Sequence, residues 1–340
     1  MIRIASVPLL LALLVPPGAP AGDSTPRPPG PPASGPGSAE YAHAAVRKTR
    51  LGEGVEECWV FEPAEPRPAT APVVVFLHGF GATSPRGYGA WIDHLARRGQ
   101  VVLFPRYQTL FTPLEEFTAN AAAGVRGALE ALAGEGRVHL RRRELALVGH
   151  SMGGVLAANL AALAPDLGLP APRAVFAVEP GITSDARHPR FAPLADLARI
   201  PADTLLVALY GDADGVTGAR DAERIYREST AVSAANKDLL VLRSDAHGRP
   251  RLVADHLAAA AVDSRYGRAM PYTTNEARIS RWGVDALDWW GLWRPFDALC
   301  AAAFRGERRD LALGASPERR AMGIWSDGQP VRELEVVEIE

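Results

Sequence analysis

Apolar residues in this chain fall into short unbroken runs rather than alternating with polar ones. Such runs occupy residues 72–77, 100–104, 145–148, 174–178, 204–209 and 239–242, and a further candidate strand lies at 57–61. A strand buried on both faces loses the polar alternation of a half-exposed one, so these runs predict interior strands. Helical periodicity fills the gaps. A helix is expected around residues 91–96, another at 155–163, and a longer one over 113–133, where Leu114, Phe117, Ala121, Val125, Leu129 and Leu132 recur at helical spacing. Strands separated by helices pair in parallel through crossovers, which predicts an α/β class with a mainly parallel central sheet flanked by helices on both faces. In such sheets ligand chemistry gathers at the carboxyl ends of the strands.

Composition narrows this picture without changing it. With 340 residues, 47% of them hydrophobic, the chain can bury a large core, which excludes disorder for most of its length. A formal net charge of −2 gives no electrostatic footing for nucleic acid or an anionic membrane surface. Near the N-terminus Arg3 precedes the apolar stretch 7–15, followed by small residues and prolines. That pattern predicts a signal peptide over 1–21, cleaved after Ala19-Pro20-Ala21, and a secreted or periplasmic protein. The stretch is too short to span a bilayer and holds no cysteine for a lipid, so no stable membrane anchor is expected.

Residues 22–40 are dominated by proline, glycine, serine and alanine and read as an extended linker, leaving 41–263 as the α/β domain and 264–340 as a C-terminal extension. The extension is aromatic-rich, with Trp282, Trp289, Trp290 and Trp293. Two readings stand for it: a cover over the site that offers an apolar surface to an acyl chain, or aromatic docking onto the side of the domain. Two readings also stand for Cys58 and Cys300, a single bridge or two buried thiols. Arg141-Arg142-Arg143 reads as a solvated turn before a strand.

Candidate chemistry begins at Gly149-His150-Ser151-Met152-Gly153, a G-x-S-x-G element between a predicted strand and a predicted helix. Glycine at 149 and 153 removes the β-carbons that would collide in so sharp a reversal, leaving the Ser151 hydroxyl at its tip. After the penultimate strand Asp212 and Asp214 share one loop, and after the last comes Ser244-Asp245-Ala246-His247-Gly248. His247 follows the final core strand within a short glycine-containing loop, which makes it the candidate general base. His256, farther on in the next predicted helix beside Asp255, is the alternative base but is expected to face solvent or the sheet, and His150 is expected to pack internally.

With serine, aspartate and histidine in this order, the sequence resembles the α/β-hydrolase superfamily over roughly residues 55–263. Secreted esterases and lipases, cutinase-like and dienelactone-hydrolase-like, are the nearest members suggested; cutinase-like polyester hydrolases usually carry a tryptophan where Glu179-Pro180-Gly181 stands here. The resemblance implies an α/β-hydrolase fold with Ser151 as nucleophile, His247 as base and Asp214 as acid, with Asp212 and Glu179 as alternative acids. It also implies an oxyanion hole from the backbone N–H groups of Phe80 and Met152. The implied activity is cleavage of a small-molecule or lipid carboxylic ester through an acyl-enzyme, with no metal and no organic cofactor. Amide or peptide hydrolysis and acyl transfer would use the same triad, and a non-catalytic binding protein of this fold is the remaining alternative.

Overall fold

The computed structural model describes residues 25–134, 137–185, 191–267 and 283–338. Its strands are β1 (Ala45–Leu51), β2 (Cys58–Ala64), β3 (Thr70–Leu77), β4 (Val101–Pro105), β5 (His139–His150), β6 (Ala174–Val178), β7 (Leu205–Gly211), β8 (Lys237–Leu242) and β9 (Glu335–Val337). They form one sheet in the order β1-β2-β4-β3-β5-β6-β7-β8-β9. From β4 through β3 to β8 every neighbouring pair is parallel, while β1, β2 and β9 run antiparallel at the two edges. The seven predicted strands are β2 to β8. Of the five parallel steps, four cross over through α1 (Gly89–Arg97), α2 (Phe117–Ala131), α3 (Met152–Leu163) and α4 (Arg220–Glu228), whereas the connection from β6 to β7 contains, among the described residues, the single 3-10 turn Leu197–Arg199.

Side-chain alternation along the buried strands builds two cores. Val74, Phe76, Val148, Phe176 and Leu209 face α1 and the helix α5 (Arg294–Arg305), with Phe76 edge-on to Trp91 at 5.3 Å. Val73, Val75, Leu77, Leu147 and Val175 face α2, α3 and α4. Each such fully buried aliphatic or aromatic side chain contributes about 1.5–3 kcal/mol of transfer free energy, which is why these runs specify the sheet.

Several expectations change at the margins. Arg141, Arg142 and Arg143 are not a turn; they are exposed residues within β5. Cys58 and Cys300 are both buried free thiols belonging to opposite cores, so the bridge is ruled out. The segment read as an extended linker is fastened down from residue 26. The Pro26 carbonyl accepts the Arg249 amide at 2.8 Å, and the Gly30 carbonyl accepts Trp290 Nε1–H at 2.9 Å. Trp293 is buried against Trp91, so the aromatic extension docks on the domain's side, where α5 and β9 complete the core. Residues 1–21 and Trp282 lie outside the described residues. Among those described, no helix is long and apolar enough to cross a membrane.

Candidate active site

The strand-to-helix turn at Ser151 is as tight as its glycines predict. Ser151 has φ 57° and ψ −122°, a conformation that costs a non-glycine residue on the order of 1–3 kcal/mol unless its surroundings enforce it. They do: the Ser151 amide donates to the Val178 carbonyl of β6 at 2.9 Å, and the Ser151 carbonyl accepts the Gly154 amide at 2.9 Å. A β-carbon at Gly149 would overlap the Gly153 carbonyl, and one at Gly153 would overlap the Leu77 carbonyl of β3. Backbone thus packs on backbone beneath the serine, and its hydroxyl is held at the carboxyl end of β5.

The imidazole that meets this hydroxyl belongs to His256. Its Nε2 lies 3.0 Å from Ser151 Oγ, and its Nδ1 lies 3.0 Å from Asp214 Oδ2. Asp214 sits in the loop after β7, where Oδ1 accepts the amides of Val216 at 2.8 Å and Thr217 at 3.0 Å, and Oδ2 accepts the Thr217 hydroxyl at 2.7 Å. Burial opposes ionisation of this carboxyl. The hydrogen bonds from His256, Thr217 and Val216 outweigh it and hold the pKa of Asp214 well below the usual carboxylate range. A fixed carboxylate at Nδ1 keeps the proton on that nitrogen, leaving the Nε2 lone pair facing the serine hydroxyl.

His247, expected as the base, is elsewhere. Its exposed ring bonds Asp327 Oδ2 at 2.8 Å and stands edge-on to Trp325, in the seam with the C-terminal extension. The cause is a detour after β8. Asp245 and Leu252 form an antiparallel bridge with two 2.9 Å backbone bonds, so residues 246–251 loop outward and the chain returns to the sheet end only at 252–256. Gly248 and Pro250 mark that loop in the sequence, and they were the signal that the first histidine after the strand lies on an excursion.

The two alternative acids do not reach the base as its bonded partner. Asp212 instead accepts the Ser244 amide at 2.9 Å and the Ser244 hydroxyl, tying the β7 and β8 loops together. Glu179, at the end of β6, is fully buried with its Oε2 3.2 Å from His150 Nε2. Burial, with the nearby Asp214 and Asp255 charges adding to it against an opposing contribution from His256, pushes the Glu179 pKa well above the carboxylate range. Burial thus favours its neutral form, the opposite of the shift at Asp214.

Of the residues expected to supply oxyanion donors, Met152 follows the serine in the chain and Phe80 follows a glycine that packs against it. Met152 is the first residue of α3, and the amides of a first helical turn have no intrahelical acceptor. Phe80 follows Gly79, where a built methyl group would stand only 3.4 Å from Ser151 Cβ. The Phe80 side chain is no core aromatic: it is 67% exposed and stacks on Phe117 with centroids 6.2 Å apart. His150, Glu179 and His256 bring possible metal-ligating atoms within 4.8 Å of one another. Both nitrogens of each imidazole are already engaged, however: those of His150 with Tyr88 and the His256 carbonyl, those of His256 with Asp214 and Ser151.

A family model described as alpha/beta hydrolase fold matches residues 74–222, from within β3 to within α4. The matched stretch contains Ser151 and Asp214 and ends before His256. No curated protein matches the chain.

Proposed function

Because the chain belongs to the α/β-hydrolase superfamily, we propose that it is an exported serine hydrolase that cleaves carboxylic esters through an acyl-enzyme on Ser151, with His256 as general base and Asp214 as its orienting acid. The observation that carries this reading is the pair of 3.0 Å contacts linking Ser151 Oγ, the two nitrogens of His256 and Asp214 Oδ2. His256 Nε2 takes the hydroxyl proton as Oγ attacks the ester carbonyl, and Asp214 stabilises the imidazolium that forms. The carbonyl oxygen becomes an oxyanion facing the amides of Met152 and Phe80, donors whose loss typically costs about 3–4 kcal/mol of transition-state stabilisation. His256 then gives its proton to the departing alkoxide. A water, deprotonated by the same nitrogen, releases the acid and restores Ser151.

A small-molecule or lipid ester is the substrate class that fits, because the reaction needs only a carbonyl presented to this sheet end and the exposed Phe80 offers an apolar flank to its acyl part. Export rests on the basic-then-apolar pattern of residues 1–21. The test is turnover of p-nitrophenyl butyrate, with mass spectrometry of the protein after treatment with a fluorophosphonate. Ser151→Ala is expected to lower turnover roughly 10⁴-fold or more and to abolish labelling while the melting temperature holds. Undiminished turnover in a folded Ser151→Ala protein would reject the mechanism.

A further inference from the structure

We propose that Tyr88 and His150 are positioning residues that lock the loop carrying the oxyanion donor to the loop carrying the base. A chain of three hydrogen bonds, two buried and the last part-buried, runs between those loops. The Gly79 amide donates to Tyr88 Oη at 2.9 Å, Tyr88 Oη lies 2.8 Å from His150 Nδ1, and His150 Nε2 lies 2.7 Å from the His256 carbonyl. Gly79 precedes Phe80, His150 precedes Ser151, and His256 is the imidazole at the serine. The chain therefore reaches the oxyanion loop through the Gly79 amide, the base through its own carbonyl, and the serine through the side chain of the residue before it.

The proton arrangement in this chain admits one consistent solution. Tyr88 accepts from Gly79, so its own O–H is directed at His150 Nδ1. His150 then carries its proton on Nε2, where it is donated to the His256 carbonyl; Glu179 Oε2 lies 3.2 Å from the same nitrogen without accepting a hydrogen bond from it. Burial lowers the His150 pKa to about 4, which keeps the ring neutral and this donor–acceptor pattern intact at neutral pH. Without the Tyr88 hydroxyl, Nδ1 becomes a buried acceptor with no donor. A proton moved there would leave the Nε2 lone pair against the His256 carbonyl, repelling the loop that holds the base. Tyr88 thus selects the tautomer with which His150 holds His256 in place.

The inference rests on the proposed triad, and its test keeps the two separable. Tyr88→Phe, His150→Leu and His150→Gln are compared with the wild type for kcat and KM on p-nitrophenyl butyrate, normalised to the sites a fluorophosphonate labels, with melting temperatures alongside. Displacement of a reacting group by about 1 Å costs roughly 100-fold in rate. Tyr88→Phe and His150→Leu are therefore expected to lower kcat about 10- to 100-fold with KM within about twofold, and His150→Gln, whose amide restores an N–H near Nε2, is expected to recover most of the loss. Wild-type kcat per labelled site in Tyr88→Phe, or no recovery in His150→Gln, would overturn the positioning role. If His150→Leu fails to fold, the single-oxygen deletion Tyr88→Phe decides. A wild-type protein that Ser151→Ala does not disable would instead overturn the triad, and this inference with it.

Discussion

Two histidines follow the last long strand, and their surroundings assign them different work. His256 is half-buried, with a carboxylate on one nitrogen and the serine hydroxyl on the other; His247 is exposed and paired with the exposed Asp327. The His247 ring bonds Asp327 and not the serine, so His247→Ala is expected to leave ester turnover within about twofold of wild type. His256→Ala is expected to lose roughly 10⁴-fold in kcat with KM little changed, because it removes the proton acceptor and not a substrate contact. Esterase kinetics on the two variants check this, and the reverse ranking would return the base to His247. The proposed nucleophile and acid were legible in the sequence, Ser151 through its glycines and Asp214 through the family resemblance, which left Asp212 and Glu179 as alternatives; a local turn to Val216 and Thr217 holds Asp214 in place. The base was not. Its position depends on the Asp245–Leu252 bridge, a pairing made by backbone groups; Gly248 and Pro250 signal that the chain turns there but not where it returns to the sheet.

Among the elements, legibility followed burial. The seven strands with both faces covered were visible as apolar runs, whereas β1 carries Arg47, Lys48 and Arg50 and covers a sheet edge, where charge suits a strand that must not pair with another chain. β9, three residues long, owes its place to pairing with β8 and not to its own composition. The helix after the elbow begins at Met152, three residues before its expected start, because Gly153 and Gly154 read as turn residues although they are helical. Their glycine identity serves close approach instead. Gly153→Ala would drive a methyl group into the Leu77 carbonyl of β3, where neither backbone can yield cheaply. It is expected to lower the unfolding free energy by about 3 kcal/mol or more, in the range of severe core overpacking. Gly127→Ala in α2 meets nothing within 4 Å and is expected to raise stability by up to about 1 kcal/mol. Urea denaturation of both variants measures the contrast, and equal midpoints would mean that the elbow tolerates a side chain the packing forbids.

At the scale of the whole molecule, the N-terminal arm, α1 and α5 are joined through one carboxylate. Asp297 Oδ2 on α5 accepts the Gly37 amide at 2.8 Å, lies 2.9 Å from His94 Nε2 and pairs with Arg98 Nε at 3.0 Å, with Trp293 stacked obliquely over His94. Burial raises the pKa of this carboxyl, but His94, Arg98 and the Gly37 amide together overcome that penalty and lower it below the ordinary value near 3.8. A depressed carboxyl pKa means that the folded state binds fewer protons than the unfolded one. The stability Asp297 contributes is therefore fully present above pH 3.8 and is lost as the pH falls through its lower folded value. Asp297→Asn keeps the shape, removes the charge and leaves a cation facing an amide, a loss of about 3–5 kcal/mol when a buried pair is broken. Unfolding free energies from urea denaturation at pH 7 are expected to fall by that amount in the variant. The gap between wild type and variant should narrow at pH 3, below the ordinary value near 3.8, where the unfolded chain takes up a proton that the folded carboxylate resists. A gap that stays constant between pH 7 and pH 3 would mean that the Asp297 charge is not what holds the arm, the first helix and the last long helix together.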